Sequence, residues 1–129
     1  MGLTIRVNNF DSFDIGYMGF MAFRYNLAIA VNERLGELYK KWVYLSLTDD
    51  ELNEMIKLAG DLMIFFNHSD CEGSFTPSES RKLYIRLKDI KLDYSISTQY
   101  HNQGEFNVLE RLKQMFYYSW HYRRKIIFS

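Results

Sequence analysis

Between His68 and Glu79 the chain gathers an imidazole, a thiol and three carboxylates within twelve of its 129 residues. His68, Asp70, Cys71, Glu72 and Glu79 carry these groups, and Ser69, Ser74, Thr76 and Ser78 add hydroxyls. Oxygen donors recur at alternate positions, Asp70, Glu72, Ser74 and Thr76, around the turn residue Gly73. A hard divalent cation such as calcium binds to loops of this kind, because it takes its ligands as oxygens from a chain that bends sharply. A softer metal is a second chemistry: His68 and Cys71, with Asp70 or Glu72 and the distant His101, offer the nitrogen and sulfur that zinc favours. One His-x-x-Cys pair, however, is two ligands short of a structural zinc site. Cys71 with His68 as its base would be a third, but a thiol beside Asp70 and Glu72 has its thiolate disfavoured. The loop also closes without any ion. Thr76-Pro77-Ser78-Glu79 is a capping box with proline at the first helical position, Gly73 supplies a turn, and His68 and Asp70 can hydrogen-bond loop amides.

The spacing resembles a degenerate EF-hand loop. Asp70, Glu72, Gly73, Phe75 and Glu79 fall at its third, fifth, sixth, eighth and twelfth positions; Ser74 would give a backbone carbonyl and Thr76 would hold a water. The departure is His68, which stands where the first aspartate belongs and offers nitrogen to a cation that wants oxygen. The resemblance therefore implies weak calcium binding or none, with His68, Asp70, Glu72, Ser74, Thr76 and Glu79 as the ligand set. The run Asn67-His68-Ser69-Asp70-Cys71-Glu72-Gly73, followed by Thr76-Pro77-Ser78-Glu79, is also similar to a motif of small uncharacterised bacterial and phage proteins, NHSDC(D/E)G leading into TPEE. Ser12 to Tyr17 and Phe23-Arg24 resemble the N-terminal region of that family. The resemblance implies that His68 belongs to the motif, and it implies no activity.

Two helices must hold this loop. Thr48-Asp49-Asp50-Glu51 is a second capping box, and Leu52, Met55, Ile56, Ala59, Met63 and Phe66 form the stripe of an entering helix that weakens at Gly60. Leu83, Tyr84, Leu87 and Ile90 form the face of the exiting one, giving a helix–loop–helix over about 49–90. Earlier in the chain, Leu3 to Val7 alternates like a strand and Asn8 to Gly16 is turn-rich. A helix from Tyr17 carries Met18, Met21, Tyr25, Ala28 and Ile29 on one face, with Phe20, Phe23, Leu27 and Val31 widening it, and Gly36 reads as a stop. A short helix around Leu38 to Tyr44 follows. Ile90 to Ile96 alternates and reads as extended or as helix continuation, and Thr98 to Gly104 is a polar loop. Glu105 to Tyr122 reads as helix with Phe106, Leu109, Leu112, Met115, Phe116 and Trp120 inward. The β-prone Lys125 to Phe128 should pair with Leu3 to Val7, since a lone exposed strand is a liability. The expected fold is one α+β domain over 1–129, mostly α, with four or five helices and a small antiparallel sheet joining the chain ends.

Bulk properties narrow the function classes. Sixteen basic and sixteen acidic residues leave no net charge to attract nucleic acid or an acidic membrane. No phosphate loop, dinucleotide fingerprint or nucleophile elbow appears. The first residues lack the apolar core of a signal peptide, Arg6 breaks the myristoylation pattern, and a lone cysteine suits a reducing compartment, so a cytoplasmic location is expected. Tyr117 to Lys125 mixes aromatic and basic side chains that can stack on single-stranded nucleic acid, but it reads better as a helix end with aromatics inward and cations on the negative dipole end. The expected role is a small binding or regulatory protein acting through protein contact, with toxin immunity and phage counter-defence as examples. The alternative is a calcium- or zinc-binding protein, or a small metal-dependent enzyme, built on the 68–79 loop.

Overall fold

The computed structural model describes residues 2–93, 95–98 and 104–129, with side chains described up to 93 and from 107. Alternation in the first strand, β1 (Gly2–Val7), sends Leu3, Ile5 and Val7 into the core. The chain then turns at Asn8, one of two non-glycine residues with positive φ (47°) among those described, and returns as β2 (Asp11–Gly16). Asparagine tolerates that conformation because its short side chain can bond locally. The segment that reads as turn-rich is therefore mostly strand: polar Asp11, Ser12 and Asp14 alternate with Phe13 and Ile15, and only the latter pair is buried.

Helix α1 (Tyr17–Val31) follows directly. Its buried residues are Phe20, Phe23, Arg24, Leu27 and Ala28, whereas Met18 is 72% exposed and Ile29 37%. The face expected from Met18, Met21, Tyr25, Ala28 and Ile29 is thus rotated: in a helix apolar almost all round, period alone does not select the side that the sheet covers. Asn32 ends α1 and caps α2 (Glu33–Tyr44), its side-chain oxygen accepting from the Arg34 and Leu35 amides. Gly36 is not a stop but lies inside α2, where a Cβ would sit 2.5 Å from Ile29 Cγ1 and 3.3 Å from Ile29 Cα. It lets the two helices approach closely.

Both capping boxes form as read. Thr48 starts α3 (Asp49–Ala59) and Thr76 starts α5 (Pro77–Leu87). The entering helix breaks at Gly60, φ +56°, into a 3-10 turn (Gly60–Leu62) and the single turn α4 (Met63–Phe66). Arg86 from α5 fills the break and donates to the freed Ala59 carbonyl at 2.9 Å. Beyond the loop, β3 (Gly73–Phe75) precedes α5. Strands β4 (Ser95–Thr98) and β5 (Gly104–Asn107) form a separate antiparallel pair. Ile90 to Asp93 is irregular, and Tyr94, His101 and most of the expected polar loop lie outside the described residues. Helix α6 (Val108–Tyr122) starts later than its apolar stripe suggests, because Asn107 caps it by accepting from the Glu110 amide. Phe106 accordingly belongs to β5 and not to the helix.

The chain ends with β6 (Ile126–Phe128), which pairs antiparallel with β1, Ile5 opposite Phe128 and Val7 opposite Ile126. The main sheet runs β2-β1-β6-β3, so the C-terminal strand lies between the N-terminal strand and the loop strand. The fold is α+β and mostly α, with the two chain ends joined in the sheet as expected. One face of the sheet meets an aromatic core centred on Phe65, whose ring contacts Phe20, Phe23, Phe75 and Phe116 at 5.7 to 6.4 Å. Arg111 of α6 grips Asp11 of β2 with Nε at 2.7 Å and Nη2 at 2.6 Å, tying helix to sheet. Among the described residues, no helix is long and apolar enough to cross a membrane.

Candidate functional site

The 68–79 loop is built from three local preferences. Ser69 Oγ accepts from the Cys71 and Glu72 amides at 3.2 and 3.3 Å, closing the tip with a hydroxyl turn. Gly73 takes φ +97°, which side-chain-bearing residues rarely adopt. Glu79 Oε1 accepts from the Thr76 amide at 2.9 Å while Thr76 Oγ1 accepts from the Glu79 amide.

His68 holds the middle of the loop. Its Nδ1 lies 2.8 Å from the Ser69 carbonyl and its Nε2 3.1 Å from the Ser74 carbonyl. Its ring packs against Phe75 at 4.2 Å and Phe128 at 4.6 Å between centroids. A histidine ligates a metal through a bare ring nitrogen, and here both nitrogens face carbonyl oxygens. The Ser74 carbonyl, which a calcium loop would turn toward its ion, faces the imidazole instead. Asp70 and Glu72 are exposed at the tip, and Glu79 is engaged in capping. Thus, of the six residues read as a ligand set, the structure brings His68 to Ser74 and Thr76 to Glu79. Among the described residues no three His, Cys, Asp or Glu side chains converge as a metal site. Cys71 is exposed and in no disulfide, with Sγ 3.4 Å from Ser69 Oγ, and His101 lies outside the described residues.

The loop is fastened to the domain by a residue that sequence periodicity does not mark. Arg24 of α1 is only 6% exposed and donates from Nη2 to the His68 carbonyl at 2.7 Å. Its guanidinium lies over Phe20 at 4.4 Å and Phe65 at 5.2 Å. Burial pulls its pKa below the ordinary arginine value, opposed first by Tyr39 and then by Asp70. Burial likewise pushes the Tyr39 phenol up, against the pull of the Arg24 charge. Arg24 lines a cavity of about 450 Å³ between α1, α2 and the loop, walled by Met21, Tyr39, Trp42 and Phe66 and reaching Asp70. A signal for it exists in the sequence: a cation between Phe23 and Tyr25, inside an apolar helical run, must either leave the core or be used there.

A second surface feature runs along α6. Phe10 stacks on Tyr118 at 4.3 Å, and Tyr118 on Tyr122 at 4.6 Å. With Tyr84 and Tyr117 they line an open groove of about 710 Å³, edged by Lys88, Glu110 and Lys113. The aromatics of this helix end do not all pack inward: Tyr117 is 46% exposed and Tyr122 64%. Period assigns them to flanks of the buried stripe, and among the described residues their exposure shows that side left open. No family model matches the chain, and no curated protein or solved structure shows significant similarity to it.

Proposed function

We propose that the protein is a small binding or regulatory module that works through contact with another protein. The observation that carries this reading is the aromatic groove of Phe10, Tyr84, Tyr117, Tyr118 and Tyr122. Tyrosine offers large contact area with few rotatable bonds and a hydroxyl for the wet rim, which is why it is enriched where proteins meet. Stacking among Phe10, Tyr118 and Tyr122 and the Asn8 amide bonded to the Tyr118 hydroxyl at 3.2 Å preorganise that face. Little ordering entropy then remains to oppose binding. The 68–79 loop supports the alternative, metal-dependent reading less well, since His68, the Ser74 carbonyl and Glu79 are engaged in closing the loop.

The test is site-specific photocrosslinking in the native host from a benzophenone side chain at Tyr122. A discrete protein adduct that disappears with Tyr117→Asp and is not formed when the probe is placed outside the groove, at Lys57 of α3, is the expected result. Diffuse crosslinks to abundant proteins, equal from both positions, would sink the proposal.

A further inference from the structure

Arg24 does more than a loop fastener requires. A guanidinium carries five N–H donors. One N–H of Nη2 is used on the His68 carbonyl, the Tyr39 side chain also engages the guanidinium, and the buried Nε has no hydrogen-bond partner. Among the described residues no carboxylate lies within 4.0 Å of the group. A buried charge is costly unless paired, and a neutral donor would hold the His68 carbonyl at lower cost. The Phe20 and Phe65 faces offset part of that cost, but they supply no acceptor.

This cation, with no carboxylate beside it, lines a partly open cavity rather than a packed wall. The 450 Å³ cavity beside it is within the size of small-ligand sites, roughly 300–1,000 Å³. Trp42 and Phe66 give it flat apolar walls, and Met18, 72% exposed, stands at its mouth. We propose that this cavity binds a carboxylate carried on a flat apolar body, the carboxylate meeting Arg24 and the body lying against Trp42 and Phe66. An entering carboxylate would pair with the guanidinium edge that lines the cavity in a charge-assisted bond. The charge balance favours a monoanion: one guanidinium faces the cavity, and Asp70 on the loop opposes any second negative charge. A free aromatic acid and the C-terminal carboxylate of a peptide ending in an aromatic residue present the same chemistry. The site is separate from the α6 groove, so it stands whether or not a protein binds there.

Thermal shift and calorimetry of the purified protein test it. The probes are phenylacetate, phenylacetamide, inorganic phosphate, and a short peptide ending in phenylalanine as free acid or as amide. Phenylacetate or the free-acid peptide should raise Tm by a few degrees at saturation, whereas both amides and phosphate should not. Preference between the two acids distinguishes a small metabolite from a chain terminus. Arg24→Gln should abolish the shift. Two exposed variants guard against a fold defect in that mutant: Met18→Glu should weaken binding roughly tenfold through a like charge at the mouth, and Asp70→Asn should tighten it. The proposal is overturned if neither acid shifts Tm at millimolar concentration, if amides or phosphate act equally, or if Met18→Glu and Asp70→Asn leave the affinity unchanged.

Discussion

Replacing Gly73 by alanine separates a loop closed by its own hydrogen bonds from a loop closed by an ion. The substitution has two costs. The first is conformational: at φ +97° a Cβ is strained wherever it points, and holding a non-glycine residue in such a region costs about 1–3 kcal/mol. The second is steric, because the new Cβ would lie 3.3 Å from both Cε1 and Nε2 of His68. That ring is pinned between the Ser69 and Ser74 carbonyls and the Phe75 and Phe128 rings, so it yields little. Overpacking of this kind adds about 1 kcal/mol at the low end of its usual range. The expected loss is therefore roughly 2–4 kcal/mol, or a fall in Tm of about 10 °C for a domain of this size. Urea melts followed by tryptophan fluorescence measure it. Repeating them in His68→Ala isolates the steric part: the cost of Gly73→Ala should shrink there by about 1 kcal/mol, while the conformational part stays. Calcium, zinc and chelator should leave every melt unmoved. A Gly73→Ala protein as stable as the parent would refute the strain argument. Recovery of its lost stability by calcium would refute the hydrogen-bonded account of the loop and restore the ion.

Two further outcomes follow from packing and charge. Gly36→Ala gains about 1 kcal/mol of helix propensity but drives a Cβ to within 2.5 Å of Ile29 Cγ1. Overpacking of about 1–3 kcal/mol should win, giving a net loss of about 1 kcal/mol in urea melts. In an Ile29→Ala background the same substitution should turn neutral or stabilising, and a loss of unchanged size there would be inconsistent with helix contact as the cause. At Glu51, the Lys41 ammonium at 2.7 Å and the Thr48 amide hold the carboxyl down at about 2. Since the folded value lies below the ordinary one of about 4.3, the unfolded chain takes up the proton first. The contribution is complete above about pH 4.3 and is lost as pH falls toward 2. Glu51→Gln should flatten that limb of the stability–pH curve, modestly and less at high salt, because the pair is partly exposed.

What the sequence determined by itself was mostly local. Thr48 and Thr76 start helices because each places a glutamate three residues on, and a capping box needs nothing beyond its own four residues. The alternation of Leu3 to Val7 and the apolar Ile126 to Phe128 were enough to pair the chain ends, since neither strand is stable alone. The loop's turn at Gly73 and its length were equally legible. Tertiary structure decided the rest. Polar Asp11, Ser12 and Asp14 looked like turn residues until β1 lay beside them. Gly36 carries the signal of a helix stop, yet it continues a helix because Ile29 needs the space. The buried side of α1 was set by the sheet and by Phe65, as a helix apolar all round has no preferred face of its own. The same holds for the site. Spacing showed where the oxygens of the 68–79 loop lie in the chain, but not that the His68 ring would face two of its carbonyls. Nor could spacing show that Arg24, 44 residues away, would meet the loop beside a cavity. Hydrogen-bond partners of that kind are fixed only when distant elements pack, and no local pattern encodes them.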